Sequence, residues 1–124
     1  MASVLGIGGL FVKADDTDAL GAWYARVLGF SLSDYGGAMW PPAPGGFTLW
    51  SPFKADTDYF APSALPFMLN LRVDDMDGMV ARIEAAGETV LGRQDESYGR
   101  FAWLMDPQGL KIELWEHLET PAEA

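Results

Sequence analysis

The side chains best suited to chemistry lie on two segments, 67–73 and 111–116, in which apolar residues alternate with others. Successive side chains of a β-strand point to opposite faces of a sheet, so the alternation predicts two strands with one apolar and one mixed face each. We expect the apolar faces to pack on helices, which leaves the mixed faces available for other contacts. The mixed faces carry Met68, Asn70, Arg72, Lys111, Glu113 and Trp115.

Glu113 is the one carboxylate on these mixed faces and the candidate catalytic residue. An isolated buried carboxylate is costly, so we expect it to pair with Arg72, Asn70 or Lys111. Such a carboxylate could act as a general base on a carbon acid. A structural or binding role is the interpretation that the pattern favours.

Composition excludes several other kinds of site. There is no cysteine, which excludes disulfides, thiolate metal sites and cysteine nucleophiles, and the single histidine, His117, excludes a site built from two histidines of one chain. The 18 acidic residues against 8 basic ones give a net charge of -10. That balance argues against nucleic acid and against anionic membrane surfaces as partners.

The length of 124 residues and the hydrophobic content of 49% predict one domain with a sizeable core. No apolar run approaches the roughly 20 residues that span a bilayer. The apolar segment 4–12 has no positively charged region before it, which favours a buried first strand over a secretory signal. We therefore expect a cytoplasmic protein.

Two segments have helical periodicity. Apolar residues recur every three or four positions over 18–28, after a run of acidic residues suited to an N-cap and before Gly29 as C-cap. A second helix is predicted over 74–86, before Gly87. Between and after them, strands are predicted at 4–12, 30–35, 38–40, 46–50, 67–73, 89–91, 100–105 and 111–116, with a loop at 54–66. Asp106-Pro107-Gln108-Gly109 predicts the turn of a closing hairpin.

The order strand, helix and three strands thus occurs twice, which indicates an internal repeat. Three motifs carry a family resemblance: WYARVLGF at 23–30, RVDDMDGMVARIEAAGETVL at 72–91 and GRFAWLMDPQGLKIELWE at 99–116. Together they resemble the superfamily of glyoxalases, bleomycin-resistance proteins and extradiol dioxygenases (vicinal oxygen chelate proteins). The resemblance implies an α+β fold of two βαβββ modules, about 4–53 and 67–118 with linker 54–66. Their curved mixed sheets would enclose a cavity, with the helices outside.

The resemblance also implies four cavity positions that usually hold a divalent metal through His, Gln or Glu. They fall on Gly9, Thr48, Met68 and Glu113, so the chain departs from the metal-dependent pattern at three of the four. Glycine offers no ligand atom and methionine is too soft for hard divalent ions. We expect no metal cofactor, with a divalent metal as the alternative if the register is wrong or a second chain supplies ligands.

The repeat sets Trp50 and Trp115 at matching cavity positions, with Thr48 beside the first, and Arg100 at the mouth. Facing tryptophans suit a planar or cationic ligand, although they could equally fill space. The leading hypothesis is a metal-independent protein that binds a small organic molecule in an aromatic-lined cavity. The rivals are a metal-dependent lyase, isomerase or dioxygenase, and a metal-free enzyme with Glu113 as base. We also expect a homodimer, because so short a chain leaves sheet edges and apolar surface uncovered.

Overall fold

The computed structural model describes residues 10–41 and 46–118. These form two helices, α1 (Thr17–Leu28) and α2 (Met76–Ala85), and four strands: β1 (Leu69–Arg72), β2 (Gly92–Glu96), β3 (Gly99–Met105) and β4 (Lys111–His117). Neither helix of this described part has the length and apolar character that a bilayer crossing requires.

Helix α1 begins and ends as the sequence predicts. The Asp16 side chain accepts a hydrogen bond from the amide of Ala19 at 3.0 Å and so caps one of the free N–H groups of the first turn. Gly29 follows with φ of 75°, a left-handed conformation that costs glycine little. Helix α2 uses the same device, with Asp75 accepting from the amide of Gly78. Gly87 then leaves the helix at φ of 85°.

The four strands form one mixed sheet in the order β1-β4-β3-β2. Strands β1 and β4 run parallel, and the pairs β3–β4 and β2–β3 are antiparallel. The turn between β3 and β4 is the predicted one, with the amide of Gly109 donating to the Asp106 carbonyl at 3.1 Å. Strands β1 and β2 are therefore the two edges of the sheet.

The core lies between one face of the sheet and the two helices. Its centre combines Val27 of α1 and Met76 and Ile83 of α2 with Ile112 and Leu114 of β4, all of them without solvent exposure. Because both helices pack on this face, the opposite face of the sheet is left for other contacts. The helices thus lie on one side of the sheet, as predicted, and the α+β class is confirmed.

Three of the four strands predicted in the second half are confirmed to within two residues at each end. The exception is the strand predicted at 89–91, which instead runs from Gly92 to Glu96. Its sequence, GRQDE, is polar because β2 is an edge strand that contacts no core. Arg93 lies there between two carboxylates, 2.7 Å from Asp77 and 3.0 Å from Asp95.

The strands predicted in the first half differ from the structure. The segment 4–12 lies mostly outside the described residues, and its described part, 10–12, forms no strand. Of the predictions at 30–35 and 38–40 only a single bridge remains, between Leu32 and Ala38, and 46–50 has no ladder partner. Apolar segments of this kind become strands only when a neighbouring edge accepts their hydrogen bonds. The described residues therefore contain one of the two expected sheets, and the modular division at 54–66 stays a prediction.

Candidate functional site

The face of the sheet that turns away from the helices carries polar and aromatic side chains. Alternation along the strands puts these residues opposite the core residues, as the sequence predicts. Two rows of neighbours cross this open face: Asn70, Glu113 and Trp103 in one, and Arg72, Trp115 and Phe101 in the next.

Glu113 is the centre of the first row and is only 8% exposed. Its carboxylate accepts hydrogen bonds from Asn70 Nδ2 at 2.7 Å, from Trp103 Nε1 at 2.9 Å and from the hydroxyl of Tyr59. Three neutral donors thus compensate a buried negative charge. The expected partner Asn70 is confirmed; Arg72 and Lys111 make no ion pair with this carboxylate within the described residues.

Lys111 lies beside this group, also nearly buried. Its Nζ donates to the backbone carbonyl of Tyr59 at 2.6 Å and lies 5.2 Å from the centre of the Tyr59 ring and 5.7 Å from that of Trp103. Burial lowers the pKa of Lys111 below its ordinary value, although the carboxylates of Glu113 and Asp58 act in the opposite direction. Burial, followed by the hydrogen bond to Glu113, raises the pKa of Tyr59 above its ordinary value of 10.0.

Three aromatic rings form a row along the open face. Phe101 is nearly parallel to Trp103, at 11° with ring centres 6.4 Å apart, and to Trp115, at 12° and 6.2 Å. The ring of Phe47 meets Trp115 edge-on at 5.4 Å, with the guanidinium of Arg72 4.5 Å from its centre. The sheet therefore offers an aromatic surface that ends at a carboxylate, a combination suited to a planar organic ligand.

Trp115 is held in place by a close approach to β3. A Cβ on Gly99 would lie 2.9 Å from Trp115 Nε1, so only glycine leaves room for the indole there. Within the described residues this buried Nε1 has no hydrogen-bond partner. Close packing against β3 therefore fixes the position of the indole.

A broad cleft runs along β1, and most predicted site residues line it. Its walls include Thr48, Trp50, Met68, Asn70, Arg72, Glu113 and Trp115. The cleft measures about 1840 Å³, more than the roughly 300–1,000 Å³ of a small-molecule pocket. The described residues thus bring these side chains to one cleft but do not close it.

Two predicted site residues do not have the neighbours that the sequence predicts. Trp50 is 76% exposed, and the aromatic side chain of segment 46–50 that meets Trp115 is Phe47 rather than Trp50. The predicted correspondence of Trp50 with Trp115 is wrong because segment 46–50 forms no strand, so alternation does not fix its side chains. Arg100 alternates with Phe101, so it faces the helix side of the sheet, 3.8 Å from Glu116.

Sequence reasoning did not single out Tyr59, Phe101 or Trp103. For Phe101 and Trp103 the sequence did contain a signal. Both alternate with Ala102 along the predicted strand, which puts them on the face opposite the core. Tyr59 is different, because it comes from the loop 54–66 and reaches Glu113 across 54 positions of the chain. No local pattern marks such a residue.

The groups around Glu113 do not fit a divalent metal. The indole N–H that donates to the carboxylate has no lone pair for a cation, and Asn70, whose Nδ2 also donates, adds at most one amide oxygen. Throughout residues 10–41 and 46–118, no three side chains from His, Asp and Glu converge as ligands would. Gly9, the first family position, lies outside the described residues. The donor set around Glu113 therefore supports hydrogen bonding to this carboxylate rather than metal ligation by it.

Comparison with known proteins agrees with the fold. A family model described as "Glyoxalase-like domain" matches residues 9–115. The crystal structure of TnmS3, an antibiotic binding protein from Streptomyces sp. CB03234, is 30% identical, with a TM-score of 0.56 over 86% of this chain and 91% of that one. A glyoxalase/bleomycin resistance protein/dioxygenase from Nocardioides has 18% identity and a TM-score of 0.52 over 97% and 91%, a likeness of fold alone.

Among curated proteins, "Putative glyoxylase CFP32" of Mycobacterium tuberculosis is 38% identical over 86 residues, which make up 68% of this chain. The same protein name and the same identity hold for Mycobacterium bovis. The matched region is 26% of these relatives' own length, so the chain corresponds to about a quarter of each of them.

Proposed function

Since the chain belongs to the glyoxalase-like domain family, we propose that it binds a small organic molecule on the open face of its sheet without a metal ion. The ligand would lie along the row formed by Trp103, Phe101 and Trp115, with its polar end toward Glu113. The antibiotic-binding description of TnmS3, which is 30% identical, supports a binding role over a catalytic one.

The single observation that carries the proposal is the set of hydrogen bonds that Glu113 accepts beside the aromatic row. Its carboxylate accepts three hydrogen bonds, from Tyr59, Asn70 and Trp103, next to a continuous aromatic row. Three accepted hydrogen bonds leave this carboxylate about one of its roughly four lone-pair sites, which makes it a weak base and a poor metal ligand. It is well suited to orient a ligand that exchanges with one of the donors.

Metal analysis of the purified protein tests the metal-free part of this proposal. We expect substoichiometric zinc, nickel, manganese and iron, and the same ligand affinity before and after treatment with a chelator. A stoichiometric divalent metal that is lost in Glu113→Ala would overturn the proposal and favour a metal-dependent lyase or dioxygenase.

Tryptophan fluorescence tests the binding surface. Planar aromatic compounds should quench the native protein, and Trp115→Phe should lose a large part of that quenching because the indole lies within the proposed site. Trp23→Phe is the matched control, since Trp23 is buried against the core on the helix side. Equal quenching losses in the two variants would contradict a site on the open face.

We further propose that the chain forms a homodimer. The first half exposes large apolar side chains, among them Phe11 at 93%, Met39 at 89% and Leu49 at 67%. The wide cleft lies at β1, whose outer edge pairs with no described strand and could accept strands from a second copy. Light scattering at micromolar concentration should give twice 13.5 kDa. A mass near 13.5 kDa itself would overturn this proposal.

A further inference from the structure

Tyr59 is fixed on the open face from both of its ends. Its hydroxyl donates to Glu113 Oε2, and its backbone carbonyl accepts from Lys111 Nζ at 2.6 Å. The same loop is held again where Ser63 Oγ donates to the Gly109 carbonyl at 2.5 Å. These contacts bring a phenol from an irregular segment to a carboxylate on a strand.

The surroundings of this phenol resemble those of a bound aromatic ligand. Phe53 stacks on the ring at 5.6 Å with an angle of 18°, and Trp103 meets it edge-on at 6.2 Å. The ring is therefore contacted on its face and on its edge, while its hydroxyl has a charged acceptor. Aromatic contact combined with one directional polar contact is how proteins recognise small planar molecules.

The Tyr59 side chain can move away from Glu113 while the residues around its hydroxyl stay in place. It is 36% exposed and lies in 54–66, which contains no helix or strand, whereas Glu113 and Trp103 belong to β4 and β3 and Asn70 to β1. An outgoing hydroxyl would leave one acceptor of a buried carboxylate unfilled, at a free-energy cost. A ligand that brings its own hydroxyl restores that hydrogen bond, whereas a ligand without a donor does not.

The charge of Lys111 limits which polar group of a ligand can lie beside Glu113. Its ammonium lies 5.2 Å from the centre of the Tyr59 ring, so a cationic group placed there would meet a like charge. An anionic group would meet Glu113. A neutral hydroxyl is compatible with both charges, and an electron-rich ring is favoured by the ammonium.

We propose that the Tyr59 side chain occupies the ligand position in the free protein. The ligand is then a phenol, a planar hydroxyaromatic molecule whose hydroxyl replaces that of Tyr59 as a donor to Glu113. This inference rests on the proposed function, since it names the ligand class of the same open face. It narrows the earlier expectation of a planar or cationic ligand to a neutral planar one with a hydrogen-bond donor.

The test compares 2-naphthol with 2-methoxynaphthalene, which has the same rings but no hydroxyl proton, by calorimetric titration. The native protein should bind 2-naphthol more tightly, by on the order of tenfold, the effect of one hydrogen bond to a charged group. Tyr59→Phe removes the competing hydroxyl and keeps the ring, so neither probe has to break the hydrogen bond to Glu113. Affinity for both probes should therefore rise severalfold, and the preference for 2-naphthol should persist. Glu113→Gln should reduce the preference to within about threefold, because the charge assistance is lost.

The outcomes separate this inference from the proposed function. Equal affinities for the two probes in both the native protein and Tyr59→Phe would overturn the phenol proposal and leave aromatic binding intact. Binding of neither probe would overturn both. Tighter binding of a naphthyl-trimethylammonium cation than of 2-naphthol would also overturn it. If Glu113→Gln fails to fold, as thermal unfolding would reveal, the two probes on Tyr59→Phe decide alone.

Discussion

Residues 10–41 and 46–118 contain two tyrosine–carboxylate pairs, one on each side of the sheet. On the helix side the hydroxyl of Tyr24 donates to Asp106 Oδ2 at 2.7 Å, and on the open side Tyr59 donates to Glu113. The first tyrosine belongs to α1, is 8% exposed and packs edge-on against Trp23, with ring centres 5.0 Å apart. The second belongs to a loop and is 36% exposed.

The two carboxylates differ in the other hydrogen-bond donors that they bind. The other oxygen of Asp106 accepts from the amides of Gln108 and Leu110, so this carboxylate builds the turn between β3 and β4. The other oxygen of Glu113 accepts from the side chain of Asn70 and supports no backbone. The same chemical pair is therefore part of the fold on one side and an exchangeable contact on the other.

The largest expected difference is in the carboxylates. Asp106→Ala should lower the free energy of unfolding by about 3 kcal/mol, because it leaves a buried hydroxyl and two turn amides without their acceptor. Glu113→Ala should cost only about 1 kcal/mol, since Tyr59 and Asn70 can turn to water and the Trp103 N–H is the one donor left without an acceptor. Urea unfolding measures both, and equal losses would contradict the comparison.

The tyrosines should differ less. Tyr24→Phe should cost about 2 kcal/mol, the contribution of a buried hydrogen bond to a charged acceptor. Tyr59→Phe keeps its ring contacts and should cost less than about 1 kcal/mol, because Glu113 retains two donors. The same unfolding experiment tests this, and a larger loss for Tyr59→Phe would assign the loop a structural role instead.

The smallest expected difference is in how the stability falls at alkaline pH. Burial, followed by Asp106, raises the pKa of Tyr24 above 10.0, so the folded chain keeps a proton that the unfolded chain releases. This stabilisation is complete below pH 10 and is lost as the pH rises further, at up to about 1.4 kcal/mol per pH unit. Tyr24→Phe should therefore show a flatter fall in stability between about pH 10 and 11, with a smaller flattening in Tyr59→Phe. Parallel curves for the native protein and Tyr24→Phe would refute the assignment.

The two sides also differ in how far the sequence predicts them. Helix α1, its Asp16 and Gly29 caps and the turn at Asp106 are local features, so pattern and residue type were sufficient. The position of Glu113 on a mixed face followed from alternation along β4. Tyr59 could not be predicted, because an irregular loop brings it to Glu113 and no periodicity records that contact. The strands expected in the first half failed for a related reason: a strand needs a partner edge, which its own sequence does not supply.

The two edges of the sheet have different characters, and this sets a limit on assembly. Strand β2 presents Arg93 fixed between Asp77 and Asp95, a charged border that resists pairing with another strand. Strand β1 instead borders the open cleft. Two copies that met through β1 would offer a third copy only their charged borders. In the proposed dimer, strand addition through the described sheet would therefore end at the pair rather than continue into a fibre.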